Sequence, residues 1–358
     1  MEVWQSPILA GPLVGPPVVA DLNGDGQKDV AVTSEQNVLY IGFATPESPR
    51  WVKVELGTDV RSVPAAAALG GNADLTLLLG TETGRLLFIN GKQARLNGSL
   101  NVTEELSKAT GRFEQNNPLR APVAVGDLNG DAREDLVVTT VTGKLITFDG
   151  LTLERLWYAS SSGTSRAQSA APVLADLDSD GLLDVVWHAP DGNLMAFKGT
   201  GQGKDRSMLL WQQQVQGGTN PVVADFDKDG TWDVAVAGSD GTISVFAGAT
   251  GERLWRGKGG NPSAGSVLLL GDLNADRRLD LLLPETDGKF TRLATNSTIS
   301  KAAIVWGQAY GNSEHTGRSR FQPEDLSAYH GYIGASLLLI VMTAGLQFFI
   351  RRKRSKLV

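Results

Sequence analysis

The chain has 358 residues, of which 41% are hydrophobic and 20% are charged, and its net charge is −6. An acidic chain of this kind is not expected to bind nucleic acid, because phosphate binding needs a basic face. The absence of cysteine excludes disulfides, thiolate zinc sites and cysteine nucleophiles, and the presence of only three histidines makes a histidine metal cluster unexpected.

The N-terminal residues 1–17 begin with the short run MEVW, which ends in Trp4. They have neither the basic region nor the long apolar region of a secretory signal. The membrane topology inferred below requires such a signal. We therefore expect that Met1 is not the natural start and that an upstream signal is missing or removed.

An acidic nine-residue loop between two apolar runs first occurs at Asp21–Asp29 and recurs along the chain. We call the five copies the aspartate loops and number them by the repeat unit that contains them. Their oxygen-bearing side chains stand at positions 1, 3, 5 and 9. They are Asp21, Asn23, Asp25 and Asp29 (first); Asp127, Asn129, Asp131 and Asp135 (third); Asp176, Asp178, Asp180 and Asp184 (fourth); Asp225, Asp227, Asp229 and Asp233 (fifth); Asp272, Asn274, Asp276 and Asp280 (sixth). The second unit is degenerate and keeps only Asp74.

The closing aspartates of successive units are 45 to 61 residues apart, a period that is typical of propeller blades. Each unit has an apolar run, the loop, a second apolar run, a glycine turn and two further runs. The turns are Thr83-Gly84, Thr142-Gly143, Asp191-Gly192, Asp240-Gly241 and Asp287-Gly288. Fourth runs end in Trp157, Trp211, Trp255 and Trp306, which we expect to pack between blades. The pattern therefore predicts an all-β propeller of four-stranded blades.

The blade count depends on how the N-terminal strand is interpreted. Six complete units are visible, and Trp4 ends one outer strand more than these units need. This favours seven blades in the full protein, with the remaining strands upstream. The alternative is that Trp4 belongs to an edge strand on a closed ring of six blades. Residues 97–118 are interpreted as an insertion between the second and third units.

Calcium prefers six to eight oxygen ligands, and carboxylates at positions 1, 3, 5 and 9 of a tight loop can supply them. A glycine at position 6 provides the positive φ that such a turn needs. The loops are not EF-hands, because position 12 is never glutamate. We expect calcium occupancy to be highest and similar in the fourth and fifth loops, then to fall from the first to the third and the sixth. The alternative is a set of Asx turns that need no metal.

The repeats resemble the FG-GAP/VCBS repeats of the integrin α-subunit β-propeller, whose loops carry D-x-[DN]-x-D-G-x-x-D calcium sites. The resemblance covers residues 1 to about 310 and implies structural Ca²⁺ ions and no catalytic residues. The segment WGQAYGNSEHTGR, residues 306–318, is similar to a segment of quinoprotein-like propellers.

The C-terminal region differs from the repeats. A linker at 311–331 precedes residues 332–350, which are uncharged and long enough to cross a bilayer as a helix. The basic tail 351–358 is expected to be cytoplasmic, which places the 1–310 propeller on the extracellular or lumenal side of a single-pass protein. Asn97, Asn101 and Asn296 begin N-glycosylation sequons that this topology would expose.

We therefore expect a non-enzymatic, membrane-tethered and calcium-stabilised propeller that binds a protein partner or acts in adhesion. Two alternatives stay open, a quinoprotein-like propeller enzyme and an assembly scaffold of the secretory pathway. The protein-binding function rests on the likeness of fold alone.

Overall fold

The structure, a computed structural model, describes residues 6–7, 9–45, 49–71, 74–162, 170–202, 206–262, 268–298 and 304–306. Within these ranges the chain forms six antiparallel sheets, one for each predicted unit, and one α-helix. The all-β prediction of repeated antiparallel sheets is thus confirmed.

The sheets are numbered in chain order. The first contains β1 (Val18–Ala20), β2 (Asp29–Ser34), β3 (Val38–Phe43) and β4 (Arg50–Glu55). The second contains β5 (Ala65–Ala67), β6 (Thr76–Gly80), β7 (Arg85–Asn90) and β8 (Arg95–Asn101), and α1 (Val102–Thr110) follows it. The third contains β9 (Ala124–Gly126), β10 (Asp135–Thr139), β11 (Lys144–Phe148) and β12 (Arg155–Ser160). The fourth contains β13 (Val173–Ala175), β14 (Asp184–His188), β15 (Asn193–Lys198) and β16 (Met208–Gln214). The fifth contains β17 (Val222–Ala224), β18 (Asp233–Ala237), β19 (Thr242–Ala247) and β20 (Arg253–Lys258). The sixth contains β21 (Leu269–Gly271), β22 (Arg278–Pro284) and β23 (Phe290–Thr298), and β24 (Ile304–Trp306) is the last strand.

Strands within each sheet are neighbours in chain order, except that β24 joins β17 in the fifth sheet. In the second to sixth sheets the second and third strands are joined by the predicted glycine turns. The turn glycines all have positive φ, a conformation in which a Cβ atom would be strained. The φ values are 76° at Gly84, 77° at Gly143, 84° at Gly192, 78° at Gly241 and 84° at Gly288. The turn chemistry therefore sets the hairpin register, as the sequence predicts.

Successive sheets pack face to face, and their short first strands lie side by side from β1 to β17. Buried apolar clusters join the first sheet to the second, the second to the third, the third to the fourth and fifth, and the fifth to the sixth. Middle strands such as β10, β14 and β18 are buried along their whole length, because a sheet covers each of their faces. Continuous apolar runs follow from this two-sided burial.

The end of the repeat region differs from the prediction. The strand that ends in Trp306 was expected to complete the sixth sheet, but β24 pairs antiparallel with β17 of the fifth sheet. The sixth sheet therefore has three strands and the fifth has five among the described residues. The first strand of a sheet pairs with only one neighbour, the second strand. The other edge of β17 therefore has backbone N–H and C=O groups that are available to pair with β24.

The second sheet forms although its aspartate loop is degenerate, with only a short 3₁₀ turn at Leu69–Gly71 before β6. The predicted insertion 97–118 is partly wrong, because its first five residues belong to β8. The remainder contains α1, which begins after Asn101. The Asn101 side chain accepts a hydrogen bond from the backbone N–H of Glu104 at 3.2 Å, as an N-cap does.

The tryptophans at the ends of fourth strands do not all have the same environment. Trp157 and Trp211 are buried between sheets, which confirms the prediction for both. Trp255 is 43% exposed, so the prediction is wrong there. The side chain of Trp306 lies outside the described residues.

No helix within the described ranges is long and apolar enough to span a membrane. The linker 311–331, the apolar segment 332–350 and the tail 351–358 lie outside those ranges, as does the strand predicted to end at Trp4.

Candidate calcium-binding loops

All five aspartate loops connect the first strand of a sheet to its second strand, and they share one hydrogen-bonding pattern. The closing aspartate is the first or an early residue of the second strand and is fully buried in every case. Its Oδ2 accepts the backbone N–H of the second loop residue. The distances are 2.9 Å for Leu22–Asp29, 3.0 Å for Leu128–Asp135, 3.1 Å for Leu177–Asp184, 2.8 Å for Phe226–Asp233 and 3.0 Å for Leu273–Asp280.

The aspartate at position 1 holds the other side of each loop. Both of its carboxylate oxygens accept backbone N–H groups from the middle of the loop. In the fifth loop Asp225 accepts the N–H groups of Lys228 at 2.7 Å and Gly230 at 3.2 Å. These bonds curl the backbone around the carboxylates at positions 1, 3 and 5.

Two positions in every loop have positive φ. Position 6 was predicted to need glycine, and Gly26, Gly181 and Gly230 have φ of 85°, 89° and 89°. Ala132 and Arg277 adopt 64° and 63° at the same position, which costs a residue with a Cβ about 1–2 kcal/mol. Position 4 also has positive φ, at Gly24, Gly130, Ser179, Lys228 and Ala275. The sequence analysis did not identify this second requirement.

The fifth loop brings the most suitable ligands together. Carboxylate oxygens of Asp225, Asp227 and Asp229 lie within 4.8 Å of one another. Below them, Oδ1 of Asp233 is buried and has no hydrogen-bond partner in the structure. In the part of the chain that is described, no lysine or arginine forms an ion pair with Asp227, Asp229 or Asp233. The loop thus presents several carboxylates and one unsatisfied buried oxygen, a donor set that suits calcium.

The fourth loop has the same four aspartates, and Oδ1 of Asp178 and Oδ1 of Asp184 are likewise buried without a hydrogen-bond partner in the structure. It differs from the fifth loop in its cationic partner. Oxygens of Asp176, Asp178 and Asp184 also lie within 4.8 Å of one another. The ammonium group of Lys198, however, is 2.5 Å from both Asp178 Oδ2 and Asp180 Oδ2. Lys198 is the last residue of β15 and was not among the predicted site residues. In the sequence, Lys198 could have been found as a basic residue directly before Gly199, the glycine that follows the third strand.

The remaining loops are less suited to a metal. In the sixth, the guanidinium of Arg292 lies 2.8 Å from Oδ1 of the buried Asp280. In the first, Asn23 donates to Asp25 at 2.9 Å. In the third, Asn129 donates at 3.5 Å to Asp149, a further carboxylate that the predicted set did not include. Within the described residues, only the fourth and fifth loops bring three carboxylates within 4.8 Å.

Burial changes the acidity of the closing aspartates. Desolvation raises the pKa of Asp135, Asp184 and Asp233 from 3.8 to about 7, against the opposing effect of the backbone hydrogen bonds that they accept. The Lys198 hydrogen bond has the opposite effect on Asp180 and lowers its pKa. A carboxyl group with a pKa near 7 is only partly ionised at neutral pH, and a cation beside it would favour the charged form.

Comparison with known proteins agrees with this architecture. The family described as FG-GAP-like repeat matches residues 127–187, 176–236 and 225–283, which are the third to sixth units. This region of the chain is similar to FG-GAP-like repeats. Each matched segment begins at position 1 of one aspartate loop and runs through the next loop. No curated protein matches the sequence.

Solved structures with a similar fold have little sequence identity to the chain. The structure of BBS1N in complex with ARL6DN has a TM-score of 0.53 and 15% identity, and the match covers 84% of each chain. BamB from Moraxella catarrhalis has a TM-score of 0.44 and 18% identity, over 79% of this chain and 83% of BamB. At such identity the BBS1N likeness supports the propeller-like fold alone.

Proposed function

We propose that the chain is a non-enzymatic β-propeller that binds another protein and whose hairpins are stabilised by calcium. The fifth loop carries the calcium part of the proposal, because the buried Asp233 Oδ1 and the carboxylates of Asp225, Asp227 and Asp229 form an oxygen-rich set. Calcium bound there would join β17 to β18 and stabilise the fold, and it would supply no chemistry to a substrate.

A structural role is favoured over a catalytic one by how the carboxylates are engaged. In each loop the first and last aspartates accept backbone N–H groups of the same loop. These oxygens hold the hairpin and are poorly placed to act on a substrate as general acid or base. The visible absorbance spectrum of the purified chain tests the enzyme alternative, since a bound quinone chromophore would contradict a non-enzymatic function.

Protein binding is proposed on the fold and on one neighbour. The sheets pack on one another through buried apolar clusters, and loops and outer strands remain accessible, a common arrangement of interaction modules. The similar BBS1N domain was solved in complex with ARL6DN, which is a property of that protein and a precedent for this one. Residues 332–350 would tether the chain to a membrane, with the repeats extracellular or lumenal.

Calcium binding is tested by the melting temperature of the full chain in calcium and in excess chelator. A ligand at a hundred times its Kd stabilises the native state by about 2.7 kcal/mol, so chelation should lower the melting temperature by several degrees. The double variant D227N/D229N should show a smaller difference between the two conditions than the wild-type chain. Identical scans of the wild-type chain with and without chelator would contradict the calcium proposal.

Partner binding is tested with the full chain purified in detergent from the membranes that produce it. A protein recovered with it must then bind in a reconstitution from purified components. Binding should need the folded repeats and should be lost after thermal unfolding. Recovery of the chain alone at native expression, without any direct binder, would count against an interaction module.

A further inference from the structure

The fourth loop carries its own cation. Lys198 forms two ammonium–carboxylate contacts of 2.5 Å, to Asp178 and Asp180, with its side chain only 16% exposed. A lysine ammonium group is charged at neutral pH. Two oxygens that a metal ion would need are therefore already bound to a positive charge.

Strand register shows why the fourth sheet has this cation and the fifth does not. In the fifth sheet the closing Asp233 pairs with Ala247 of β19. In the fourth sheet Val185 pairs with Phe197, so Lys198 lies opposite the closing Asp184. The two positions are equivalent, and only the lysine is long enough to reach the carboxylates above it.

We infer that the Lys198 ammonium is the permanent counter-ion of the fourth loop and occupies the place of calcium there, so that this loop needs no metal. The inference rests on the proposed function in one respect, namely that the fifth loop binds calcium. It reverses the expectation that the fourth and fifth loops have similar affinity.

Electrostatics support an internal cation in this position. Four carboxylates within nine residues repel one another unless a positive charge lies among them. A lysine on a neighbouring strand supplies that charge without leaving the molecule, whereas calcium must be drawn from solution. A calcium ion would have to expel the ammonium from its two partners before it could reach six oxygens.

The sixth sheet provides a second instance by a different route. Arg292 of β23 stands opposite Leu282 and two residues before Ala294, which pairs with Asp280. Its guanidinium reaches back to Asp280 Oδ1 at 2.8 Å. Two of the five loops thus hold a cation from the third strand of their own sheet.

The experiment exchanges the two residues in the full chain. K198M keeps the aliphatic stem and removes the charge, and A247K places a lysine opposite Asp233 in the fifth sheet. K258M is the matched control, because Lys258 is an exposed lysine that forms no ion pair with any described residue. Bound calcium is counted by equilibrium dialysis with metal analysis, and melting temperatures are measured in calcium and in chelator.

The expected results are changes of about one ion per chain in opposite directions. K198M should bind one calcium more than the wild-type chain, and A247K should bind one fewer. D178N should leave the count of the wild-type chain unchanged, whereas D227N should lower it by one. In chelator, K198M should melt below both wild type and K258M, and calcium should restore its melting temperature.

Three results would overturn the inference. One is a loss of one ion from D178N in the wild-type background, since calcium would then displace Lys198. Another is an unchanged count in K198M. The third is equal melting of K198M and K258M in chelator. A wild-type chain that binds no calcium, with D227N without effect, contradicts the proposed function instead, and the chelator comparison still decides the role of Lys198.

Discussion

At the residue scale, the tryptophans at the ends of the fourth strands differ in burial and in their contacts with the next sheet. Trp157 of the third sheet donates its Nε1–H to the carbonyl of Gly199 in the fourth sheet at 2.5 Å, and Trp211 does the same to Gly248 in the fifth. Trp157 also packs on Phe197, with ring centroids 5.7 Å apart. The sixth sheet has Thr295 at the position of these glycines, and Trp255 of the fifth sheet is 43% exposed.

The tryptophans differ accordingly in their expected contribution to stability. W157A removes a buried indole and leaves a cavity, so it should lower the free energy of unfolding by about 3–5 kcal/mol. W255A should lower it by less than about 1 kcal/mol, because that indole is 43% exposed. Urea unfolding followed by circular dichroism measures both, and equal losses would contradict this account.

The buried closing aspartates are expected to make the proposed calcium binding dependent on pH. Asp233 has a folded-state pKa of about 7 and an unfolded value near 3.8, so without metal its protonated form favours folding. That contribution is complete below about pH 4 and is lost as the pH rises through 7. Calcium binds the charged carboxylate and should therefore stabilise the chain more at pH 8 than at pH 6.

Melting temperatures with calcium and with chelator at both pH values test this linkage. The calcium-induced increase should be larger at pH 8, and D233N should make it independent of pH. An increase that is equal at pH 6 and pH 8 in the wild-type chain would show that Asp233 keeps its charge without a metal.

At the element scale, five of the six described sheets have a first hairpin whose loop is held by its own carboxylates. The second sheet shows that the strands pair without a complete loop, because it keeps only Asp74 and still has four strands. Apolar packing is therefore sufficient to form the sheet. The aspartate loops fix the connection between its first and second strands and add stability. Similarly, β24 is recruited by the free edge of β17 although it follows the sixth sheet in the chain.

Backbone conformation at loop position 6 leads to a paired prediction. G181A forces a Cβ into φ of 89° with no neighbouring atom within 4 Å, so the cost is conformational and should be about 1–2 kcal/mol. A132G should relieve the third loop at φ 64° and stabilise the chain by up to about 1 kcal/mol. Denaturant midpoints of the two variants should move in opposite directions, and a shared direction would refute the argument.

At the scale of the whole molecule, successive sheets bury each other's faces, and their short first strands contact one another in succession from β1 to β17. This arrangement leaves aspartate loops and outer strands at the surface and puts stability in the contacts between sheets. Adhesion or assembly functions would use the exposed parts. If residues 332–350 span a membrane as proposed, the repeats would all lie on its extracellular or lumenal side.

Membrane attachment can be measured directly. The full chain expressed with a cleavable signal should remain in the membrane pellet after alkaline carbonate extraction, because about twenty apolar residues suffice to span a bilayer. Deletion of residues 332–358 should release it to the supernatant. Protease added outside intact vesicles should remove only the basic tail, and digestion of the repeats under those conditions would contradict the proposed orientation.

Much of the fold is predictable because its signals are local. The aspartate at position 1, the glycine at position 6 and the closing aspartate act within nine residues, and the glycine turns act within two. These patterns predict six units and the strands on either side of each loop. They do not predict contacts that depend on which strand or sheet lies opposite.

The sequence by itself thus determined the repeat, the hairpins and the five loops with their carboxylates, because backbone conformation and hydrogen bonding there are settled by near neighbours. Only the tertiary structure decided that Lys198 and Arg292 reach into two of the loops, that Trp255 stays exposed and that β24 joins β17. Each of these outcomes depends on register or packing between residues far apart in the chain. An acidic loop therefore shows where a cation is needed, and the opposite strand decides whether the molecule supplies it.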